Sequence, residues 1–342
     1  MNIYKHFKYP LSFTILGFTI AFLAGYNEGG GMLSAIIALW ECFILAILEI
    51  SLSFDNAIIN ARIVQHMSLK WQKIFLFFGI FIAVFGMRIL MPLVIVVVVL
   101  KQNIFVILHM ALFTPAQYMQ ALNKAHLSLN VFGASFLSLV ALSFFFTNHK
   151  REHWLNFLEK PAAHISVLPV MPVFINVIFA ALSFYFFNKI PDAKTSNFLW
   201  GFVLGIIVFY AIKFLNFGLN NRGLENLGGW RSFLYLEILD STFSFDGVLG
   251  AFALSNNFII IVLGLSIGAF YVRSLTVMLV KENSLGRFAF IEHGAFYAIL
   301  SLAIIMYCKV NIEIPDYIAG LFSIFFISSS LIHSYYKNKI LS

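Results

Sequence analysis

The sequence predicts an all-α protein, a polytopic bundle of transmembrane helices with about nine to ten spans in two inverted-topology repeats. Three observations carry that prediction. The 342-residue chain is 61% hydrophobic and 11% charged, with a mean hydropathy of +0.91, whereas soluble domains carry roughly 25% charged residues. Its apolar residues fall in repeated windows of about 18 to 25, the length an α-helix needs to cross about 30 Å of hydrocarbon. A short acidic pattern occurs twice, with its neighbours in the same order. Lipid-facing strands would alternate in polarity, and these windows do not.

The spans follow in order. Residues 9 to 24 form the first, an apolar run from Leu11 to Ala24 behind Lys5 and Lys8. No clear small-x-small cleavage site follows it, so it reads as an uncleaved helix rather than a signal peptide. Residues 32 to 60 form the second, interrupted by Glu41, Glu49 and Asp55, and residues 74 to 100 the third, with Arg88 inside. Residues 101 to 129, with His109, Pro115 and His126, have no counterpart later in the chain and read as an interfacial or re-entrant insertion. Further spans are expected at 130 to 147, 164 to 187 and 197 to 215. The seventh, 231 to 255, holds Glu237, Asp240 and Asp246; the eighth, 258 to 280, holds Arg273. The ninth, 289 to 307, opens on Glu292 and His293, and the tenth runs from 316 to 335. His149 and His153, beside Lys150 and Arg151, read as a solvated loop face.

Charge placement fits this count. The net charge is +7, yet no basic run or soluble module is present to hold nucleic acid. Threaded through ten spans, fifteen of the 22 Lys and Arg residues fall on one side and five on the other. Cationic loops stay in the cytoplasm, so both termini are expected there. Cys42 and Cys308, the only cysteines, lie in apolar stretches, without the spacing of a disulfide framework or a zinc site.

Leu48-Glu49-Ile50-Ser51-Leu52-Ser53-Phe54-Asp55 aligns without gaps on Leu239-Asp240-Ser241-Thr242-Phe243-Ser244-Phe245-Asp246. Gly79 precedes Phe85 and Arg88 as Gly264 precedes Phe270 and Arg273, and Gly133-Ala134 corresponds to Gly294-Ala295. The duplication divides the chain into a first repeat, 1–160, and a second, 161–342. The copies fall on the second and seventh spans, an odd offset, so the second is inverted. Inverted repeats place substrate sites near the bilayer midplane, at the interface of the copies.

Away from the extreme ends of the predicted spans lie seven carboxylates: Glu41, Glu49, Asp55, Glu237, Asp240, Asp246 and Glu292. The cations that fall in the middle of spans are Arg88 and Arg273, which read as counter-charges. Each such group costs about 2.5 to 3.5 kcal/mol at the helix centre on insertion scales. The excess negative charge therefore calls for bound cations or protons. The donors are hard oxygens, joined by Asn56, Ser51, Ser53, Thr242 and Ser244, a set suited to magnesium, calcium or manganese. Glu49 and Asp55, six residues apart, share no face of an unbroken helix; they could meet if the helix unwinds there, and Ser51, Ser53 and Asn56 make a local break plausible. A similar break is plausible beside Gly247. Glu292 and His293 read either as a proton relay or as an interfacial hydrogen-bonded pair.

At Leu48 to Asn56, Glu237 to Gly247 and Glu292-His293-Gly294-Ala295 the chain resembles the TerC-like integral membrane proteins, the tellurium-resistance protein C family. It is most similar to their larger branch, long labelled a domain of unknown function. The resemblance covers roughly residues 30 to 335. It implies a bacterial inner-membrane protein, not an enzyme, associated with manganese export and metal-ion homeostasis, with related roles proposed in calcium handling and tellurite resistance. It also implies that Glu49, Asp55, Asn56, Glu237, Asp240 and Asp246 form the metal site. The expected partners are the transported cation, Mn2+ on that resemblance, and the lipid bilayer. Two rivals stand beside this reading: an intramembrane aspartyl protease, although its Gly-x-Gly-Asp sequence is missing, and an assembly factor without transport activity.

Overall fold

The computed structural model describes residues 4–27, 31–82, 86, 93, 97, 102–146, 153–165, 170–187, 195–216, 229–255, 257–282, 288–312 and 314–341. Arg88 and His149 lie outside the described residues, and Asp246 is described only by its backbone. Among the described residues the secondary structure is all helical, with no strand. The helices are α1 (Tyr4–Gly25), α2 (Gly31–Leu52), α3 (Phe54–Gln65), α4 (Leu69–Phe81), α5 (Ile104–Phe113), α6 (Pro115–Phe145) and α7 (Asn156–Ile165). They continue with α8 (Met171–Phe187), α9 (Thr195–Asn216), α10 (Trp230–Leu254), α11 (Phe258–Lys281), α12 (Ile291–Cys308) and α13 (Asp316–Leu341).

Among the described residues six helical stretches are long and apolar enough to cross a membrane: His6–Gly25, Gly31–Leu52, His126–Phe145, Phe258–Lys281, Ile291–Cys308 and Tyr317–Lys337. Shorter apolar stretches are Ile104–Phe113, Met171–Phe186 and Thr195–Ala211. Helix α10 has the length, at 25 residues, but Glu237, Asp240 and Asp246 lower its apolarity. Local chemistry sets several boundaries. Asn257 starts α11 by accepting from the N–H groups of Ile259 and Ile260 at 2.8 and 3.2 Å, and Pro115 occupies the first turn of α6, where its missing N–H costs nothing. The expected insertion is thus α5 followed by the beginning of α6, which runs unbroken into the fourth predicted span.

Helices α2 and α3 are one path broken at Ser53, whose φ of −108° and ψ of 12° leave the helical region. The Ser53 hydroxyl turns back to Glu49 Oε1 at 2.8 Å instead of capping α3. The Asp55 carboxylate accepts the Asn56 N–H at 3.0 Å in its place. The expected unwinding between Glu49 and Asp55 therefore occurs. Its counterpart in the second copy does not, because α10 is continuous through Thr242 and Gly247.

Helix α11 runs parallel to this broken path. Gly264 packs on Cys42 and Leu45, Gly268 packs on Ala46 and Glu49, and Thr276 reaches the Ala57 carbonyl at 3.4 Å. Two glycines four apart let the backbones approach closely, the usual means of helix association in lipid. Helix α6 lies antiparallel to α12, with Phe144 stacked on Phe296 at 3.9 Å between centroids and Gly133 against Met306. His6 meets Glu282 beyond α11 at 3.3 Å, and Ser334 accepts the Phe290 N–H at 2.9 Å. The described chain ends therefore gather at one end of the bundle, where α3 and α11 also finish.

The two sequence halves do not stand apart, since α2 packs along α11 and α6 along α12. Two apolar clusters form the interior. One contains Ile58, Leu137, Leu236 and Ile299; the other contains Ala46, Leu265 and Ile267. The polar stretch from Glu49 to Asn56 lies between Ala46 of one and Ile58 of the other. Ile15, Trp40, Phe105, Phe174 and Phe214 face outward, as side chains bathed in lipid would.

Candidate acidic centre

The centre is built where α3 meets α10. Trp71 and Phe75, beyond the end of α3, pack on Phe233 at the start of α10, with ring centroids 6.1 and 6.2 Å apart. The two helices are therefore antiparallel. Between them the Asn56 side-chain amide donates to Asp240 Oδ1. That hydrogen bond joins α3, on which the first copy of the acidic pattern ends, to α10, which holds the second. Both side chains are buried, Asn56 at 1% exposure and Asp240 at 6%.

Asp55 is fully buried, at 0% exposure. Its Oδ1 accepts the Asn56 N–H, Ser323 of α13 stands beside it, and its Oδ2 has no hydrogen-bond partner. Asn56 Oδ1 is likewise buried without a partner, and so is Oδ1 of Asn60, one turn further along α3. Two amide oxygens on one short helix are thus withdrawn from water unsatisfied, at a cost of roughly 1 to 3 kcal/mol for each such group. In the antiparallel register set by Asn56 and Asp240, Asn60 falls level with Glu237, since four residues up α3 and three down α10 rise about 6 and 4.5 Å. Glu237 is buried as well.

Glu49 sits one turn before the break, buried against Gly268 and bonded to Ser53. Four carboxylates, Glu49, Asp55, Glu237 and Asp240, are therefore enclosed by α2, α3, α10, α11 and α13. Among the described residues no three His, Cys, Asp or Glu side chains come close enough together to hold a metal ion. The donors thus stand as neighbours and not as a closed coordination shell.

The expected counter-charge Arg273, on α11, donates to the Gly79 carbonyl at 3.0 Å and lies 4.0 Å over the Phe75 ring. Glu292 and His293 do not pair with each other. Glu292 binds Arg62 of α3 at 3.1 Å, while His293 binds Glu159 of α7 at 3.0 Å. His153, expected on a solvated face, also reaches Glu159, at 3.4 Å. Sequence reasoning missed Asn60, Ser323, Arg62 and Glu159. Of these only Asn60 carried a local signal, four residues after Asn56 and hence on the same helical face.

The fold and its centre define an all-helical protein with several helices able to span a membrane and buried carboxylates on two antiparallel ones. The chain belongs to the family described as a protein of unknown function, DUF475, whose model matches residues 54–341. The match includes Asp55, Asn56, Asn60 and all of α10, and begins beyond Glu49. No curated protein and no solved structure matches the chain.

Proposed function

We propose that this chain is an integral membrane transporter of a divalent metal cation, manganese foremost, exported across a bacterial inner membrane with both termini in the cytoplasm. The observation that carries the proposal is the Asn56–Asp240 hydrogen bond, which ties the residue that follows the first copy of the acidic pattern to the leading carboxylate of the second, both side chains buried. Helix direction supports the inverted repeat and the ten-span count. The first copy spans the break between α2 and α3, and α3 runs opposite to α10, which holds the second.

In this reading Asp55, Asn56, Glu237, Asp240 and Asp246 bind the dehydrated cation, with Glu49 at the break. Their oxygens suit a hard cation. The Asn56 amide occupies the Asp240 oxygen when no ion is present. Binding then exchanges that hydrogen bond for metal–oxygen bonds and draws α3 and α10 together around the ion. Protonation of the carboxylates releases it. The outward direction and the choice of manganese come from the resemblance to TerC-like proteins.

Purified protein in sealed vesicles is expected to carry manganese flux that Asp55→Asn and Asp240→Asn each abolish, while Glu282→Gln, at the rim beside His6, leaves flux intact. Undiminished flux in both carboxylate variants rejects the site.

A further inference from the structure

Helix α3 carries a polar side chain to which the metal-binding set above assigns no role. After Asp55 and Asn56 the helix reads Ala57-Ile58-Ile59-Asn60-Ala61, and every one of these side chains is buried. Asn60 is 2% exposed, and its Oδ1 has no hydrogen-bond partner. An asparagine inside a membrane protein ordinarily hydrogen-bonds across to a neighbouring helix. Asn56 does so, through its amide to Asp240; the Asn60 oxygen does not. Leucine, with the same branched shape, would occupy this place among apolar neighbours without withdrawing an oxygen from water.

Asn60 stands one turn beyond Asn56 on the same face of α3. Asn56 Oδ1 is likewise buried without a partner, so two neutral oxygens follow each other, about 6 Å apart along the axis. That face meets α10, with Asp240 bonded to Asn56 and the buried Glu237 level with Asn60. The one cation of α3 faces elsewhere. Arg62, two residues on, lies about 200° round the helix from Asn60, where Glu292 binds it at 3.1 Å and the Phe144 and Phe296 rings cover it.

We propose that Asn60 is a cation-binding residue, its amide oxygen and that of Asn56 forming a neutral-oxygen station through which a divalent cation passes between the acidic centre and the end of α3. The station deepens the transporter reading and rests on it. Amide carbonyls are hard donors of the kind that join carboxylates around magnesium, calcium and manganese, and they add no charge to a buried site. They also hold an ion less firmly than carboxylates do, and a path conducts only if each site lets go of the ion it has bound. Asn60 is five residues short of Gln65, the last residue of α3. It therefore stands about 7.5 Å inside that end, and Asn56 about 13.5 Å inside it. With the termini cytoplasmic, as proposed above, that end is the cytoplasmic one, and an exported ion meets Asn60 before it meets Asp55.

Equilibrium binding of Mn2+ to the full-length protein in lipid nanodiscs, followed by loss of the paramagnetic resonance signal of the free ion, tests the station with the metal alone. Asn60→Leu is expected to weaken binding about tenfold or more. Its metal-free thermal midpoint is expected at or above the wild-type value, because an unsatisfied oxygen leaves the interior. Asn60→Asp, which keeps a hard oxygen at the same position, is expected to bind within about threefold of wild type or more tightly. Asn176→Leu makes the same exchange at a buried amide whose oxygen is engaged by Ser138 and Tyr307; it is expected to lower the midpoint and leave affinity within about twofold. Asn60→Leu with wild-type affinity overturns the station, whatever its midpoint, and is the result that a purely structural amide or a bridging water gives. An Asn60→Asp that binds no better than Asn60→Leu overturns it too. The transporter reading fails separately. A wild type that binds no manganese sinks the acidic centre as a metal site and the station with it, whereas binding lost in Asp240→Asn but kept in Asn60→Leu sinks only the station.

Discussion

The contact of α11 with the broken path is open to a sharp test at Gly268 and Gly264. A methyl group added at Gly268 would stand 2.5 Å from Glu49 Cβ and 2.8 Å from the Ala46 carbonyl oxygen. One added at Gly264 would stand 2.5 Å from Leu45 Cβ and 3.0 Å from the Cys42 carbonyl oxygen. Carbon atoms in contact sit about 3.5 to 4.0 Å apart, so each alanine needs roughly 1 Å of extra room. The obstructing atoms are backbone oxygens and Cβ atoms, not the ends of flexible side chains, so whole helices must separate. Overpacking of this kind costs about 1 to 3 kcal/mol.

Cys42 supplies the assay, because its thiol is buried at 0% exposure on the α2 face that Gly264 covers. With the exposed Cys308 replaced by serine, thermal labelling of Cys42 by a thiol reagent reports opening of this contact. Gly264→Ala and Gly268→Ala are each expected to raise the fraction labelled below the unfolding transition by about 5- to 150-fold, the equivalent of that cost. The two differ in function. Only Gly268→Ala displaces Glu49, so it alone is expected to weaken manganese flux beyond what its loss of stability explains. Labelling of both variants at the wild-type rate refutes the α2–α11 packing.

A double-mutant cycle of Asn56→Ala and Asp240→Asn is expected to give a coupling of about 1.5 to 3 kcal/mol, the range for a hydrogen bond to a charged group. A coupling near zero in denaturation measurements removes the contact on which the transport proposal stands. Arg62→Ala is expected to destabilise more than Glu292→Gln, since Arg62 also lies 5.1 and 5.6 Å over the Phe144 and Phe296 rings; equal effects mean the ion pair acts alone. Asn176→Leu, which leaves the Ser138 and Tyr307 hydroxyls without the oxygen they share, is expected to cost about 1 to 3 kcal/mol, read as a lower thermal midpoint in detergent.

Hydropathy made six helices long and apolar enough to span a membrane legible among the described residues, and the cost of charge in lipid made Asp55, Glu237 and Asp240 legible as buried groups. The break at Ser53 was legible from Ser51, Ser53 and Asn56 as a place where the helix could unwind, although an offset of six residues does not by itself require one. The pairing of Glu159 with His293 was out of reach, since the acid sits among the loop charges and its partner lies 134 positions away. The pattern also misled in one respect, by presenting its two copies as equivalent. Glu49 is long enough to receive the hydroxyl of Ser53 four residues on, which draws Ser53 out of the helix. Its counterpart Asp240 is one methylene shorter and is taken by Asn56 across the interface. Thr242 meanwhile donates back to the Ile238 carbonyl at 2.9 Å and keeps α10 regular. The two copies thus differ both in side-chain length at this position and in whether the helix breaks. Asp240→Glu, which restores the length of Glu49, is therefore expected to weaken the contact with Asn56 and to favour a break near Ser244. Hydrogen exchange across Thr242 to Gly247 reads this directly. Protection there unchanged from the wild type means that side-chain length is not what distinguishes the two copies.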